Sequence, residues 1–469
     1  MRPANRNTRN ARPKSRHAST RTRTPQRVGN VRTSGGTHRA PKSRTLDKQV
    51  VEIPIERGKM IITRRHLIYG AVAVVAVAAV GVGSSALKSA TNSQEDEAVS
   101  VLDVKPANVT TADDIQQVEA TSCVSQIGDY KLTYGTMVWC NDDDLAVCLV
   151  PCDTGKPLNK IDLLWLGSGN TATLLEQAVG TDDGFEILDV RATSDGVIWV
   201  ESDILEGAWR IYTATLTSGG TLGTAVLADE GDGNWELPSI AIAGTYAFWQ
   251  ILPNSQGSNA TSNSLLKKAR VGSKSVETVW ESKGRMATSP YTTDNRVIIT
   301  PRADKNGSIY YQLTALDVAT NDVVDFISLP TSMKPLEAGY SNNGFTFAFD
   351  AIYDNETGIA NLGTYAPETK ATGDSYSNVP WFRWARTPRC APANCGDFLI
   401  VKSTSAVCGV NMDTKTYFAL DVETGSADYG DMLASAGSRD TFVTYANVVS
   451  KPLEGESTQY CHVRVWTAL

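Results

Sequence analysis

Seven short, strongly β-forming runs recur through the chain after residue 130, and their period constrains the fold more than any other feature of the 469 residues. They begin at Met137, Val197, Tyr246, Val297, Thr346, Phe398 and Phe442, most of them entered through a turn such as Asp195-Gly196 or Gly244. The intervals are 60, 49, 51, 49, 52 and 44 residues, a self-similarity in the range of repeat architectures. After each run comes an alternating segment: Leu145–Val150, Trp209–Leu216, Leu265–Val271, Tyr310–Val318, Ile359–Tyr365, Thr416–Val422 and Gln459–Trp466. Turns such as Asp153-Thr154-Gly155 and Glu423-Thr424-Gly425 follow, and then a third β-prone stretch, for example Leu222–Leu227 or Val323–Leu329. Alternation with period two reads as strands, and no amphipathic helical stretch of any length interrupts it. The expected class is all-β.

Strand, turn, strand, turn at this period resembles the β-propeller superfamily, particularly its quinoprotein-like and WD40-like variants. The resemblance rests on period and pattern, since no Gly-His to Trp-Asp signature is present. It implies seven blades over residues 106–469, with six as the alternative if the long first interval is read differently. The seventh unit has only 28 residues from Phe442 to the end, enough for two strands. About thirty residues upstream of Met137 are left over, including Val99–Val104 and Ile115–Ala120. A strand from this region is therefore expected to complete the last blade, which closes the ring and removes an exposed edge.

The part preceding the repeats is of another kind. Residues 1–66 hold 18 of the 44 Lys+Arg and only Asp47, Glu52 and Glu56 among the acids. Residues 1–44 lack Trp, Phe and Tyr and cannot bury enough apolar surface to offset their ordering entropy, so a disordered basic tail is expected over 1–66. Its cations offer an unspecific attraction to anionic lipid or nucleic acid through residues 1–44. Leu67–Leu87 is an uncharged run of 21 residues, long enough to cross a hydrocarbon core of about 30 Å as a transmembrane helix. Arg57, Lys59, Arg64 and Arg65 precede it and Glu95, Asp96 and Glu97 follow, which puts the N-terminus in the cytoplasm and the repeats outside. Residues 88–105 read as a linker. Thr63-Arg64-Arg65-His66-Leu67-Ile68 resembles the twin-arginine export signal, with Leu67, Ile68 and Tyr69 where Phe, Leu and Lys are usual. Ser84-Ser85-Ala86 would then serve as the cleavage site. The expectation is an uncleaved single-pass anchor, with export after cleavage near Ala86 as the alternative.

All eight cysteines lie in the exported part: Cys123, Cys140, Cys148, Cys152, Cys390, Cys395, Cys408 and Cys461. An even number in such a segment suggests disulfides. They gather in the first, sixth and seventh units, neighbours around the closure seam. The expected local pairs are Cys140–Cys148 and Cys390–Cys395, with Cys461 joined to the N-terminal region.

The histidines exclude most acid–base and His-metal chemistry, because after residue 66 only His462 remains. No P-loop or Gly-x-Ser-x-Gly elbow occurs, and no cofactor is expected. Trp381, Phe382, Arg383, Trp384 and Arg386 put three aromatics and two guanidiniums in six residues. Displayed on a face they would stack on a sugar or aromatic ring; taken into the ring they are inter-blade packing. Asp142 and Asp144 in one turn, and Asp229 and Asp232 in another, are calcium candidates by their oxygen chemistry, although neither turn reproduces a calcium loop. The resulting expectation is a membrane-anchored extracytoplasmic propeller that binds a protein or a polysaccharide of the envelope, the alternative being a carboxylate-based glycan-active enzyme.

Overall fold

A computed structural model describes residues 50–55, 58–63 and 101–469, except 154–155, 306–307, 332, 350–362, 371–375, 385–389, 428–429 and 451–456. The chain divides into two units, Met1–Ala71 and Val72–Leu469. In the first, Val50–Ile55 and Gly58–Thr63 form an antiparallel hairpin that pairs Val50 with Thr63. Part of the segment expected to lack structure is thus strand, where β-branched Val50, Val51, Ile53, Ile61 and Ile62 accumulate. Residues 1–44, the run Leu67–Leu87 and the site at Ser84-Ser85-Ala86 lie outside the described residues. Among the described residues no helix is long and apolar enough to cross a membrane.

The second unit is a β-propeller. Among its described residues, seven sheets of four to six strands succeed one another. Blade I is the antiparallel meander Met137–Trp139, Leu145–Pro151, Asn159–Trp165 and Thr171–Leu175. Blades II and III repeat it over Glu186–Gly231 and Ser239–Ser282. Blade IV spans Tyr291–Ser328, blade V Pro335–Trp384 and blade VI Ala393–Ala419. Blade VII is built from Met432–Leu433, Thr441–Ser450 and Thr458–Ala468. The periodic element is the second strand of each blade. In blade I that strand is Leu145–Pro151, not the Met137 run, and with this assignment the long first interval disappears.

Strands such as Leu145–Pro151 and Gly344–Phe349 are buried on both faces, because each blade is packed between two others. One hydrophobic cluster fills each junction. Leu163 and Val147 meet Ile187 and Trp199 between I and II, and Trp209 and Ile211 meet Ile240 and Trp249 between II and III. The series continues around the ring until Cys148 and Leu164 of blade I meet Val443 and Val463 of blade VII.

The ring is closed by an N-terminal strand, as the short last unit predicts. Val124–Leu132 pairs antiparallel with Thr458–Ala468, from Val124↔Ala468 to Leu132↔Cys461. The stretches upstream of it do something else. Leu102 and Val104 are buried between blades IV and V, and the Leu102 N–H donates to Ser328 O at 2.8 Å. Val109–Thr111 adds a parallel edge strand to Trp381–Trp384 of blade V, and Gln116–Gln117 does the same to Thr416–Ala419 of blade VI. Residues 102–132 therefore form a strap along the outer edges of blades IV, V, VI and VII in ring order, covering strand edges that would otherwise be open.

The eight cysteines stand as free thiols, which corrects the expectation of disulfides. The register explains why Cys140 and Cys148 do not pair. Val138 stands opposite Cys148, so Cys140 is its diagonal neighbour at about 7–8 Å, beyond the Cα separation that a disulfide accepts. The Cys140 thiol donates instead to Asp142 O at 3.1 Å, Cys395 to Asp440 O at 3.3 Å and Cys461 to Thr136 O at 3.5 Å. Burial pushes the Cys390 and Cys461 thiols up to about 12 and keeps them protonated. The gathering of cysteines near the seam is nonetheless real: Cys140, Cys148 and Cys461 share the cluster between blades VII and I.

Candidate functional site: a hydroxyl-rimmed groove at blades I and II

The turns between first and second strands collect at one face of the ring and are laced together there. Ser194 N–H donates to Asp142 Oδ2 at 2.8 Å, Thr193 Oγ1 to Gly244 O at 2.8 Å and Thr292 Oγ1 to Ile242 O at 2.7 Å. The segment Ala434–Arg439 ties distant blades together on this face. It exchanges backbone hydrogen bonds with Cys140 of blade I, and the Asn394 N–H of blade VI donates to Gly437 O at 2.9 Å. The Gly437 N–H in turn donates to the Tyr291 hydroxyl of blade IV at 2.6 Å. Arg439 then bridges Asp294 at 2.9 Å and Asp143 at 3.4 Å. Gly437 has a φ of 84°, a conformation that a residue with a Cβ adopts only under strain. These contacts link blades I, IV and VI, and a ligand-sized space opens on the same face at blades I and II.

That space is a groove of about 620 Å³ between blades I and II. Its floor is Leu145, Leu163, Leu216 and the half-buried indole of Trp165. Exposed Asp144, Ser168, Asn170, Ser194, Thr217 and Ser218 rim it. The third strand of blade I delivers Trp165 at its end, opposite Leu145, and Gly220 lets the ring lie flat: an added Cβ there would stand 2.6 Å from Trp165. One aromatic plate with hydroxyl and amide groups around it, and a single carboxylate at the edge, suits a neutral polyhydroxylated ligand.

The structure distributes the residues singled out in the sequence elsewhere. Trp381 is buried in the layer between blades IV and V, and Phe382 and Trp384 between V and VI, so none of these rings is displayed. This corrects the reading of the segment as a ligand-binding loop. Its density of aromatics serves a strand packed on both faces, where Arg383 is half-buried; Arg386 lies outside the described residues. Asp142 is occupied by the N–H groups of Asp144 and Ser194 at 3.0 and 2.8 Å. Asp229 accepts from the Trp249 indole at 2.7 Å and pairs with Lys267 at 2.8 Å, while Asp232 accepts from Asn234 at 3.0 and 3.1 Å. Of these acids Asp144 alone lines the groove, which also needs Trp165, Ser194 and Thr217, residues far apart in the chain.

His462 does not face a nucleophile. Its Nδ1 contacts Glu423, which also accepts from Tyr460 at 2.7 Å, and its Nε2 meets Asp129 at 2.9 Å. Burial works against ionisation of Glu423 and Asp129, yet hydrogen bonds from Tyr460, His462 and Gln126 hold both carboxyls below their ordinary values. With both ring nitrogens taken by carboxylates, the imidazole is a tie between the closing strand, the last blade and the connection before it.

No family model and no curated protein matches the sequence. Among solved structures, a prolyl endopeptidase aligns with a TM-score of 0.46 at 11% identity, over 71% of this chain and 50% of that one. Puromycin hydrolase gives 0.42 at 10%, over 71% and 51%. An oligogalacturonate lyase from Vibrio parahaemolyticus gives 0.36 at 12%, over 72% and 98%. The chain thus spans about half the length of the two hydrolases, and at these identities nothing of their chemistry transfers to it. The class is that of the β-propellers.

Proposed function

We propose that the chain is a membrane-anchored, extracytoplasmic β-propeller that binds a polysaccharide of the cell envelope in the groove between blades I and II. The observation that carries this is the groove itself, an indole plate ringed by Ser, Thr and Asn side chains. The uncharged run Leu67–Leu87 with its flanking charges supports the anchor and the orientation. A glycosidase would need two carboxylates facing one ligand at a set separation, and Asp144 is the only acid on the described wall, which favours binding over cleavage.

The test is isothermal titration of the full chain in neutral-lipid nanodiscs with cello-, chito- and galacto-pentaose, beside the Trp165→Ala variant. Saturable binding of one series, lost in the variant with its melting unchanged, is the expected result. Binding by none, or equal binding by both proteins, overturns the reading. Recovery of tail peptides from the membrane fraction tests the anchor; a mature chain starting near Leu87 replaces it with an exported soluble protein.

A further inference from the structure

The opposite face of blade II carries a second cleft, of about 390 Å³, and its chemistry differs from that of the groove. Phe185, Trp209, Arg210, Glu230, Asp232 and Trp235 form its wall. The start of the third strand brings in Trp209, 2% exposed, and lays its ring over Gly231 on the neighbouring strand, where an added Cβ would stand 2.2 Å from Trp209 Cζ2. Its indole N–H has no acceptor among the described residues. A buried donor left without a partner costs about 1–3 kcal/mol, and that cost is recovered when a ligand supplies an acceptor.

The surroundings specify the ligand further. Arg210 is already committed, stacked on Phe185 at 4.1 Å, paired with Asp183 at 2.9 Å and 3.9 Å from Glu230. Glu230 remains 65% exposed, and Asp232 is exposed beside it. Asp183, Glu230 and Asp232 against one Arg leave the cleft with an excess of negative charge. Next to it the turn after the second strand thrusts out Ile204, 59% exposed, and Leu205, 94% exposed. This turn touches the connection that carries Trp235, since a Cβ on Gly207 would stand 3.3 Å from Gly233 Cα. Leu237 and Val179, in the connections on either side, are exposed as well. Large apolar side chains exposed together beside a half-buried tryptophan mark a docking surface.

We infer that this cleft and its apolar rim take an extended peptide segment of a partner protein that alternates basic and apolar side chains. A peptide carbonyl would accept the Trp209 N–H, an apolar side chain would lie on Trp235 beside Leu205, and a Lys or Arg would reach Glu230 and Asp232. The site is independent of the glycan groove, being built from other residues on the other face.

Fluorescence anisotropy of the full chain in neutral-lipid nanodiscs tests this, with a labelled, capped hexapeptide alternating leucine and lysine as the probe and empty nanodiscs subtracted. The expected result is saturable binding, weakened at least tenfold in Glu230→Gln/Asp232→Asn and in Trp235→Ala, unchanged in Trp165→Ala, and absent for the leucine–glutamate counterpart. The two acid substitutions are at exposed positions and keep the fold, which makes them decisive even if Trp235→Ala melts. Equal binding of the glutamate peptide, no binding of the lysine peptide, or binding that the acid substitutions leave intact overturns the inference. Loss of a pentaose from the cleft on Trp235→Ala would instead make it a second glycan site.

Discussion

Glu337 allows the ring interior to be tested by pH. It lies on the innermost strand of blade V, opposite Ala348 and beside Ala338, and burial alone pushes its carboxyl up from 4.5 to about 7. A raised acid binds its proton more tightly in the native than in the unfolded chain, so stability falls as the pH rises from about 4.5 through about 7. At about 1.4 kcal/mol per pH unit of displacement, the loss above neutrality is on the order of 3 kcal/mol. Glu337→Gln removes the titration while keeping the shape. Urea denaturation of both proteins at several pH values isolates the effect, because every other titrating group cancels in the difference. The variant is expected to match the wild type near pH 4.5 and to exceed it by roughly 3 kcal/mol at pH 8. A difference that is the same at both ends refutes the burial argument, and a variant less stable at pH 8 would mean that the carboxylate has a partner.

Arg464→Met should take from the buried Asp431 carboxylate its ion-pair partner, leaving the charge of Lys402 near it, and cost about 3 kcal/mol in denaturant melts, with the Asp431→Asn/Arg464→Met double variant recovering much of it. Deleting residues 98–117 removes Leu102, Val104 and two edge strands but not the closing strand, so the ring should still unfold cooperatively, weakened by a few kcal/mol; deletion through residue 132 should abolish the transition. Gly409→Ala would set a Cβ 2.3 Å from the buried Phe418 ring and should lose about 1–3 kcal/mol, read by thermal melting. Alkylation of the denatured, non-reduced protein should add eight groups by mass, while in the native state Cys123 and Cys152 react before buried Cys148 and Cys461.

The architecture was legible because a propeller writes its period into the second strand of each blade, where both faces are largely buried and Val, Ile, Phe and Trp accumulate with few polar residues between them. Closure was legible too, because seven units with a truncated last one need a strand from elsewhere. Its position was not, since Val124–Leu132 has an alternating exposed face that resembles a loop in composition. Blade VI was misread for a related reason: its third strand, Val407–Asn411, is broken in pattern by Gly409, which is there because Phe418 occupies the space of a Cβ. The tryptophan-rich segment 381–384 left two readings open, a displayed loop or inter-blade packing, and its burial selects packing. Aromatics crowded in sequence suggest a displayed loop, but in a stack of sheets a strand without polar alternation has neighbours on both sides. Neither cleft could be read from the chain, because each joins residues from separate strands and turns whose proximity is made by the blade.

Leu102 is held to blade IV by a backbone bond to Ser328, and the strap then makes three register pairs on blade V and two on blade VI. The closing strand that follows is paired with Thr458–Ala468 along most of its length, and Asp129 adds its contact to His462. Short parallel pairs on edge strands are the least costly to separate, whereas opening the last blade requires the long antiparallel ladder and the cluster shared by blades VII and I to come apart together. A pull on the N-terminal side therefore peels the strap, one blade edge at a time, before it reaches the ring. Both clefts are built on blades I and II, and the strap reaches blade I only through its closing strand, where the Tyr130 hydroxyl donates to Leu166 O and the Tyr130 ring lies against Gly169 at the rim of the groove, so the groove is held by the part of the strap that peels last.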